Sequence, residues 1–253
     1  MTTDKKSSDR AQIAPERRLR PAFVQSVELL TPHMKRVTVK MDDVEEFSVD
    51  SYGQWVKLFL PRRGDEKLVG RAYTICAFRE ETGELELDFV LHSHGALSTW
   101  AMSAQVNDRI DIAGPRSGFR IGEGTRHLLI GGDETALPAI RSIVEALPST
   151  VKVDAFIEIP DIRDAQPIDT QSAISLTWLA RSGSTVLPVD ALSNAMINAD
   201  FSDTESELWF AAEATPVRAV RKHYLADRKI HKSRVCLSGY WKKGVDDFRD
   251  DSE

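Results

Sequence analysis

Four short segments hold residue types whose spacing could support chemistry. The first is Arg71-Ala72-Tyr73-Thr74. On an extended strand Arg71 and Tyr73 share one face and Thr74 takes the other. An arginine fork can grip a diphosphate, a tyrosine ring can lie on a flat heterocycle, and a threonine hydroxyl can donate to a ring nitrogen. Alone, four residues also describe any amphipathic strand, and that plainer reading is preferred for the segment by itself. The second segment, His92-Ser93-His94-Gly95-Ala96-Leu97-Ser98-Thr99-Trp100, sets a glycine turn and hydroxyls at a helix start, where free N–H groups and the dipole favour an anion. The plainer reading is a cap by Ser93 or His94 with Trp100 in the core. No nearby Asp, Glu or Cys completes a metal site around the two histidines, so the protein is expected to hold no metal itself.

The third segment is Leu128 to Pro138, in which a strand passes through Gly131-Gly132 and Asp133-Glu134-Thr135 into a helix. Ligands of open α/β sheets collect at such strand ends. Asp133 and Glu134 suit the helix dipole and argue against a phosphate directly on that turn. The fourth, Ser238 to Gly244, joins the aromatic pair Tyr240-Trp241 to the cations Lys242-Lys243, just past the expected last strand. It could also be an apolar plug with two solvated lysines. The P-loop, HExxH, GxSxG and GxGxxG patterns are absent. The nearest approach to a dinucleotide fingerprint, Gly122 to His127, precedes a strand and is discounted.

These segments need two kinds of scaffold. The first half reads as strands at 23–30, 34–39, 55–60, 71–78, 84–91 and 109–113, with one helix at 95–103; short punctuated strands imply an antiparallel barrel or sandwich. From 127 onward, strands at 127–130, 151–159, 174–180, 207–212 and 234–238 alternate with helices at 134–147, 189–198 and 215–228. That alternation implies a parallel sheet covered on both faces. The expected organisation is a mobile tail (1–18), a β-barrel domain (19–122), an α/β domain (123–245) and a solvated acidic tail (246–253).

Composition narrows the function. The 253 residues carry 33 Lys and Arg against 39 Asp and Glu, a net charge of −6, with 42% hydrophobic residues. That suits a soluble globular chain, disfavours nucleic acid as a partner, and leaves no apolar run for membrane insertion. Two isolated cysteines, Cys76 and Cys236, and a polar N-terminus are expected of a cytoplasmic protein. A monomer is the default expectation.

Taken together, RAYT at 71–74, the LH…GALSTWA stretch at 91–101, GPRSGF at 114–119, GGDETALPAI at 131–140 and LSGYWKKG at 237–244 resemble the siderophore-interacting protein family, a branch of the ferredoxin-reductase-like flavoproteins. The resemblance spans about Arg20 to Gly244. It implies an N-terminal antiparallel FAD-binding barrel followed by a parallel-sheet nicotinamide-binding-like domain. It further implies reduction of chelated Fe(III) by FAD, with electrons from NADH, NADPH or reduced ferredoxin.

By resemblance, Arg71, Ala72, Tyr73 and Thr74 contact FAD, with Thr74 at the reactive flavin edge. Asp88, Phe89, Val90 and His92 line the ribityl and diphosphate path, while Gly95, Ala96, Leu97 and Ser98 hold the diphosphate. Tyr240 and Trp241 flank the flavin ring and share the catalytic assignment with Thr74. Gly132, Thr135 and Glu213 face the nicotinamide cleft. Relatives often carry Arg at the position of Cys76, and a proline where Ala96 stands in GALS.

A bulky anionic ferric siderophore needs local positive charge on an acidic protein. Lys57, Lys242 and Lys243 are the substrate candidates, Lys57 by resemblance. Arg181 and Ser182, with Arg163, could accept a 2′-phosphate or form a solvated turn; the turn is slightly preferred. Two competing classes are a general NAD(P)H:ferredoxin or flavodoxin reductase and a non-catalytic siderophore-binding protein.

Overall fold

In much of the first half apolar residues recur at every second strand position and turn inward, as Val37 and Val39 do on one strand and Leu85, Leu87 and Phe89 on another. The computed structural model describes residues 18–61, 70–92, 95–182, 188, 190–245, 248 and 250. The cap candidates Ser93 and His94, and almost all of both tails, lie outside them. The barrel strands are β1 (Arg20–Thr31), β2 (Met34–Met41), β3 (Trp55–Phe59), β4 (Gly70–Arg79), β5 (Glu84–Val90) and β6 (Arg109–Arg116). They close in the order β1-β2-β5-β4-β3-β6, every pairing antiparallel. Val24, Val37, Val39, Val56, Leu58, Leu85, Leu87, Phe89, Ile110 and Ile112 fill the interior with no exposed surface. Each such side chain contributes roughly 1.5–3 kcal/mol on burial. Helix α1 (Ala96–Ser103) covers one side, setting Leu97 and Ala101 into the same core.

The second half is built around β7 (His127–Gly132), α2 (Leu137–Glu145), β8 (Lys152–Ile159), β9 (Ile174–Ala180), α3 (Ala191–Asn198), β10 (Ser206–Glu213), α4 (Ala214–Arg221) and β11 (Val235–Trp241). The strands form a parallel sheet in the order β11-β10-β7-β8-β9. The strand β7 alternates between two cores. Leu128 and Ile130 meet Leu137, Ile140, Ile143 and Val144 of α2, whereas Leu129 meets Leu192 and Met196 of α3 and Val217 and Val220 of α4. The barrel and parallel sheet foreseen in the sequence are both present.

Helix α2 joins the halves. Its apolar residues pack on the sheet, and Leu30, Met34, Tyr52 and Val90 of the barrel half join the same core. Strand β4 runs beside this helix. Polar bonds pin the contact: Gly53 N donates to Ser142 Oγ (3.0 Å), and His33 N and Nδ1 lie 3.0 and 2.7 Å from the Asp164 carboxylate.

Three features differ from the sequence expectation. Strand β11 runs on through Gly239, Tyr240 and Trp241, so the aromatic pair ends a strand and does not follow one. A register shift against β10 beyond Ala212 pairs Trp241 with Glu213. The helix expected at 215–228 changes after Arg221 to a π-helical turn over Lys222–Asp227. The acidic end is not merely solvated: the Asp250 carboxylate accepts from Gly239 N at 2.7 Å and Arg221 Nη2 at 3.3 Å.

Candidate functional site

The strand register sorts the barrel candidates into two groups. Arg71 and Tyr73 pair with the inward residues Leu58 and Val56, and Ala72 and Thr74 with the outward residues Lys57 and Trp55. The Tyr73 ring lies 4.3 Å from that of Phe89, and Phe89 is 5.7 Å from Trp100 of α1. Burial pushes the Tyr73 phenol well above its ordinary range, so it remains a neutral hydroxyl. Thr74 and Lys57 instead share the outer face of the barrel, on which β4 runs beside α2.

Helix α1 starts at Gly95, whose φ of 90° favours glycine and whose position lacks a side-chain cap bond. Its first turn holds no acidic residue. Ala96 is exposed, and the first-turn N–H groups of a helix have no partner inside it. An anion fits such a start. Ser98 serves differently from the sequence expectation. Its buried hydroxyl accepts from His92 N at 2.9 Å and faces the carbonyls of Val90 and His92, fastening α1 to the end of β5. That hydroxyl is therefore spent within the fold. Leu97 is likewise a core residue.

Asp88 and Phe89 do not line an open path. Phe89 is in the barrel core, and the Asp88 carboxylate accepts a two-pronged bond from Arg36 at 2.7 and 2.9 Å, with its side chain 2% exposed. Arg141 of α2 lies 4.0 Å away. Cys76 lies close to this pair; burial foremost and the Asp88 charge next push its thiol well up, away from the thiolate form.

The sheet candidates converge at the carboxyl ends of β7, β10 and β11, where strand order reverses. Their centre is Asp133, a residue that sequence reasoning read only as a helix-dipole partner. Its buried carboxylate accepts from Thr135 N at 3.0 Å, Glu213 N at 2.8 Å and Trp241 Nε1 at 2.8 Å. Burial, and then the neighbouring Glu134 charge, push it up to about 6. The buried run before Gly131-Gly132 placed Asp133 at a strand tip; nothing in the sequence paired it with Trp241.

Glu213 caps α4 by accepting from Thr215 N, and it accepts from Lys243 N at 3.3 Å. Gly132 is required by packing, since a Cβ there would lie 2.3 Å from the Ala211 carbonyl oxygen. Tyr240 and Trp241 are 41% and 38% exposed, so the strand end presents an aromatic surface. Lys242 is half-exposed and Lys243 exposed beside it, whereas Lys57 sits on the barrel.

Among the described residues no group of three or more His, Cys, Asp and Glu side chains could hold a metal, and no helix is long and apolar enough to cross a membrane.

A closed antiparallel barrel followed by a five-stranded parallel sheet is the ferredoxin-reductase-like fold. The ferredoxin reductase in carbazole 1,9a-dioxygenase superposes with a TM-score of 0.70 at 20% identity, over 88% of this chain and 70% of that one. Within that class, residues 23–69 and 62–119 match the siderophore-interacting FAD-binding domain and residues 125–244 match siderophore-interacting protein. A siderophore utilization protein from T. fusca superposes with a TM-score of 0.82 at 30% identity, covering 91% of this chain and 95% of that one. Ferric vibriobactin reductase ViuB of Vibrio cholerae is 29% identical over 233 residues, 85% of this chain and 86% of its own. The chain belongs to the siderophore-interacting protein family, and its barrel is the family's FAD-binding domain.

Proposed function

We propose that this protein is an FAD-dependent ferric-siderophore reductase: it reduces chelated Fe(III) to Fe(II) so that iron leaves its chelator inside the cell. The observation that carries the reading is the placement of an uncapped glycine-led helix start and the Arg71-Tyr73 face on the barrel, with Thr74 on the strand beside α2 and an exposed Tyr240-Trp241 pair at the sheet end. Those residue types fit a dinucleotide flavin. In this reading residues 19–122 bind FAD and residues 123–245 meet the electron donor.

FAD, when bound, supplies the conversion of a two-electron donor into the one-electron transfers that Fe(III) needs. The chain's own residues provide binding and orientation. Arg71 and the N–H groups of Ala96, Leu97 and Ser98 take the diphosphate charge. Tyr73 supplies an apolar ring that cannot ionise near neutral pH. Thr74 Oγ1 offers a hydrogen bond at the flavin edge, and Tyr240 with Trp241 keeps water from that edge. Asp133 holds Trp241 in place by its indole N–H. Lys242 and Lys243, with Lys57, attract an anionic ferric chelate. The electron donor is a pyridine dinucleotide or a reduced ferredoxin at the sheet end.

The test is direct. The purified protein should be yellow with stoichiometric FAD, and after photoreduction should pass electrons to a ferric catecholate or hydroxamate within seconds, read by an Fe(II) trap. A colourless protein that binds the chelate would instead be a carrier. Rapid reduction of a ferredoxin with slow chelate reduction would mark a general ferredoxin reductase.

A further inference from the structure

A salt-bridge strap lies across the carboxyl ends of β7, β8 and β9. Arg181, just past β9, reaches back over β8, where its Nη1 donates to Glu158 Oε1 at 2.9 Å and to Glu134 Oε2 at 2.8 Å. Its Nη2 donates to the other Glu134 oxygen. Because Glu134 belongs to the turn after β7, one guanidinium ties three strand ends together. Beside the strap, Asp161 accepts from Arg163 Nε at 2.8 Å, Arg163 Nη2 at 3.1 Å, Arg163 N at 2.9 Å and Ser182 Oγ at 2.8 Å. The bonded Arg163 side chain holds this carboxylate well below its usual range.

Arg181, Ser182 and Arg163 are the residues whose sequence suggested a phosphate acceptor or a solvated turn. In the fold they lie on an exposed turn, as the preferred reading has it, and carboxylates bond all three. Among the described residues Glu134, Glu158 and Asp161 bond Arg181 and Arg163 here, and the Glu134 and Glu158 side chains are only 14% and 17% exposed, so their charge is poorly screened.

Pyridine dinucleotides lie over these strand ends in open α/β sheets, where an available arginine accommodates a 2′-phosphate and a carboxylate takes a 2′-hydroxyl. Resting on the reductase reading above, we infer that this edge accepts a ribose with a free 2′-hydroxyl and rejects a 2′-phosphate, so the pyridine dinucleotide that serves as donor is NADH. A 2′-phosphate approaching Arg181 would meet Glu134 and Glu158, both already on its guanidinium, so each bond it gains is set against two adjacent carboxylates. Juxtaposed like charges cost enough to separate the two nucleotides by at least about tenfold.

Calorimetric titration of the FAD-loaded protein with AMP and with adenosine 2′,5′-bisphosphate tests the recognition without turnover. AMP should bind at least about tenfold tighter, and stopped-flow flavin bleaching should show the same preference for NADH over NADPH in kcat/KM. The preference should shrink as salt is raised from about 20 to about 300 mM, because the rejection is electrostatic. The double variant E134Q/E158Q should lose most of it.

Tighter binding of the bisphosphate, a salt-independent ratio, or an unchanged ratio in a double variant whose thermal melt is intact would overturn the inference. If the variant fails to fold, the salt series on the unaltered protein decides. Bleaching by neither nucleotide also overturns it. In that case electron transfer from the photoreduced protein to a ferric chelate keeps the reductase reading standing, and no transfer removes both.

Discussion

The molecule contains two strand–glycine–helix junctions with opposite electrostatics. At the barrel junction, β5 leads to Gly95 and α1, with no acid in the first turn and no side-chain cap. At the sheet junction, β7 leads through Gly131-Gly132 to α2, and Asp133 and Glu134 occupy the turn. In the proposed reading both put a helix start beside a ligand, and among the described residues carboxylates occupy only the second. At the second, Asp133 takes the Thr135 N–H for itself and Glu134 is locked to Arg181. A helix start is therefore an anion site only where the protein's own carboxylates leave it vacant.

The sheet junction is the place to break the contrast hardest. Asp133→Ala leaves the Glu213 N–H and the Trp241 indole N–H without an acceptor. At pH 5 it should lower unfolding stability by about 2–3 kcal/mol, measured by denaturant titration. The variant should also change the fluorescence of Trp241. The cost should depend on pH in a definite direction. With its carboxyl pushed up to about 6, the folded protein holds this proton more tightly than the unfolded chain. The group's contribution is complete below the unfolded value near 4 and declines as pH rises through about 6. Wild type should accordingly lose stability relative to Asp133→Ala between pH 5 and 7; a difference constant over that range would contradict the burial that raises the carboxyl.

Making the barrel junction resemble the sheet junction is the next test. Gly95→Asp sets a carboxylate at the start of α1, where φ is 90°. Removal of a favourable dipole contact and addition of a like charge should weaken FAD retention by about 10- to 30-fold, read from flavin absorbance after dialysis. Retention at the wild-type level would mean the diphosphate lies elsewhere. The smallest effect concerns charge beyond both junctions. Lys242→Ala with Lys243→Ala should raise the Kd of an anionic ferric chelate by about 3- to 10-fold and leave FAD bound, since exposed charge contacts are each weak. An unchanged Kd would remove the lysines from substrate binding.

The periodicity of the chain made the two halves legible: strands such as Glu84–Val90 alternate, whereas β7 and β10 are continuous buried runs, each leading into a helix. Residue types made the Arg71-Tyr73-Thr74 strand and the Gly95 turn visible as candidates. Other features depended on distant partners. The Asp133–Trp241 bond spans 108 positions and the Arg181–Glu134 pair spans 47. Ser98 looked like a ligand hydroxyl because nothing local showed that its oxygen would be consumed by His92 and Val90. Asp88 looked like part of a ligand path for the same reason: its two-pronged bond comes from Arg36 on a neighbouring strand.

By itself the sequence determined the order of strands and helices, the composition of each core and the chemical types at each junction, because these follow from local periodicity and side-chain chemistry. Only the tertiary structure decided which of those groups remain available. A carboxylate or guanidinium is free or spent according to what folding brings within hydrogen-bond distance. Asp133, Glu134 and Arg181 are spent in this way, whereas among the described residues no side chain caps the start of α1.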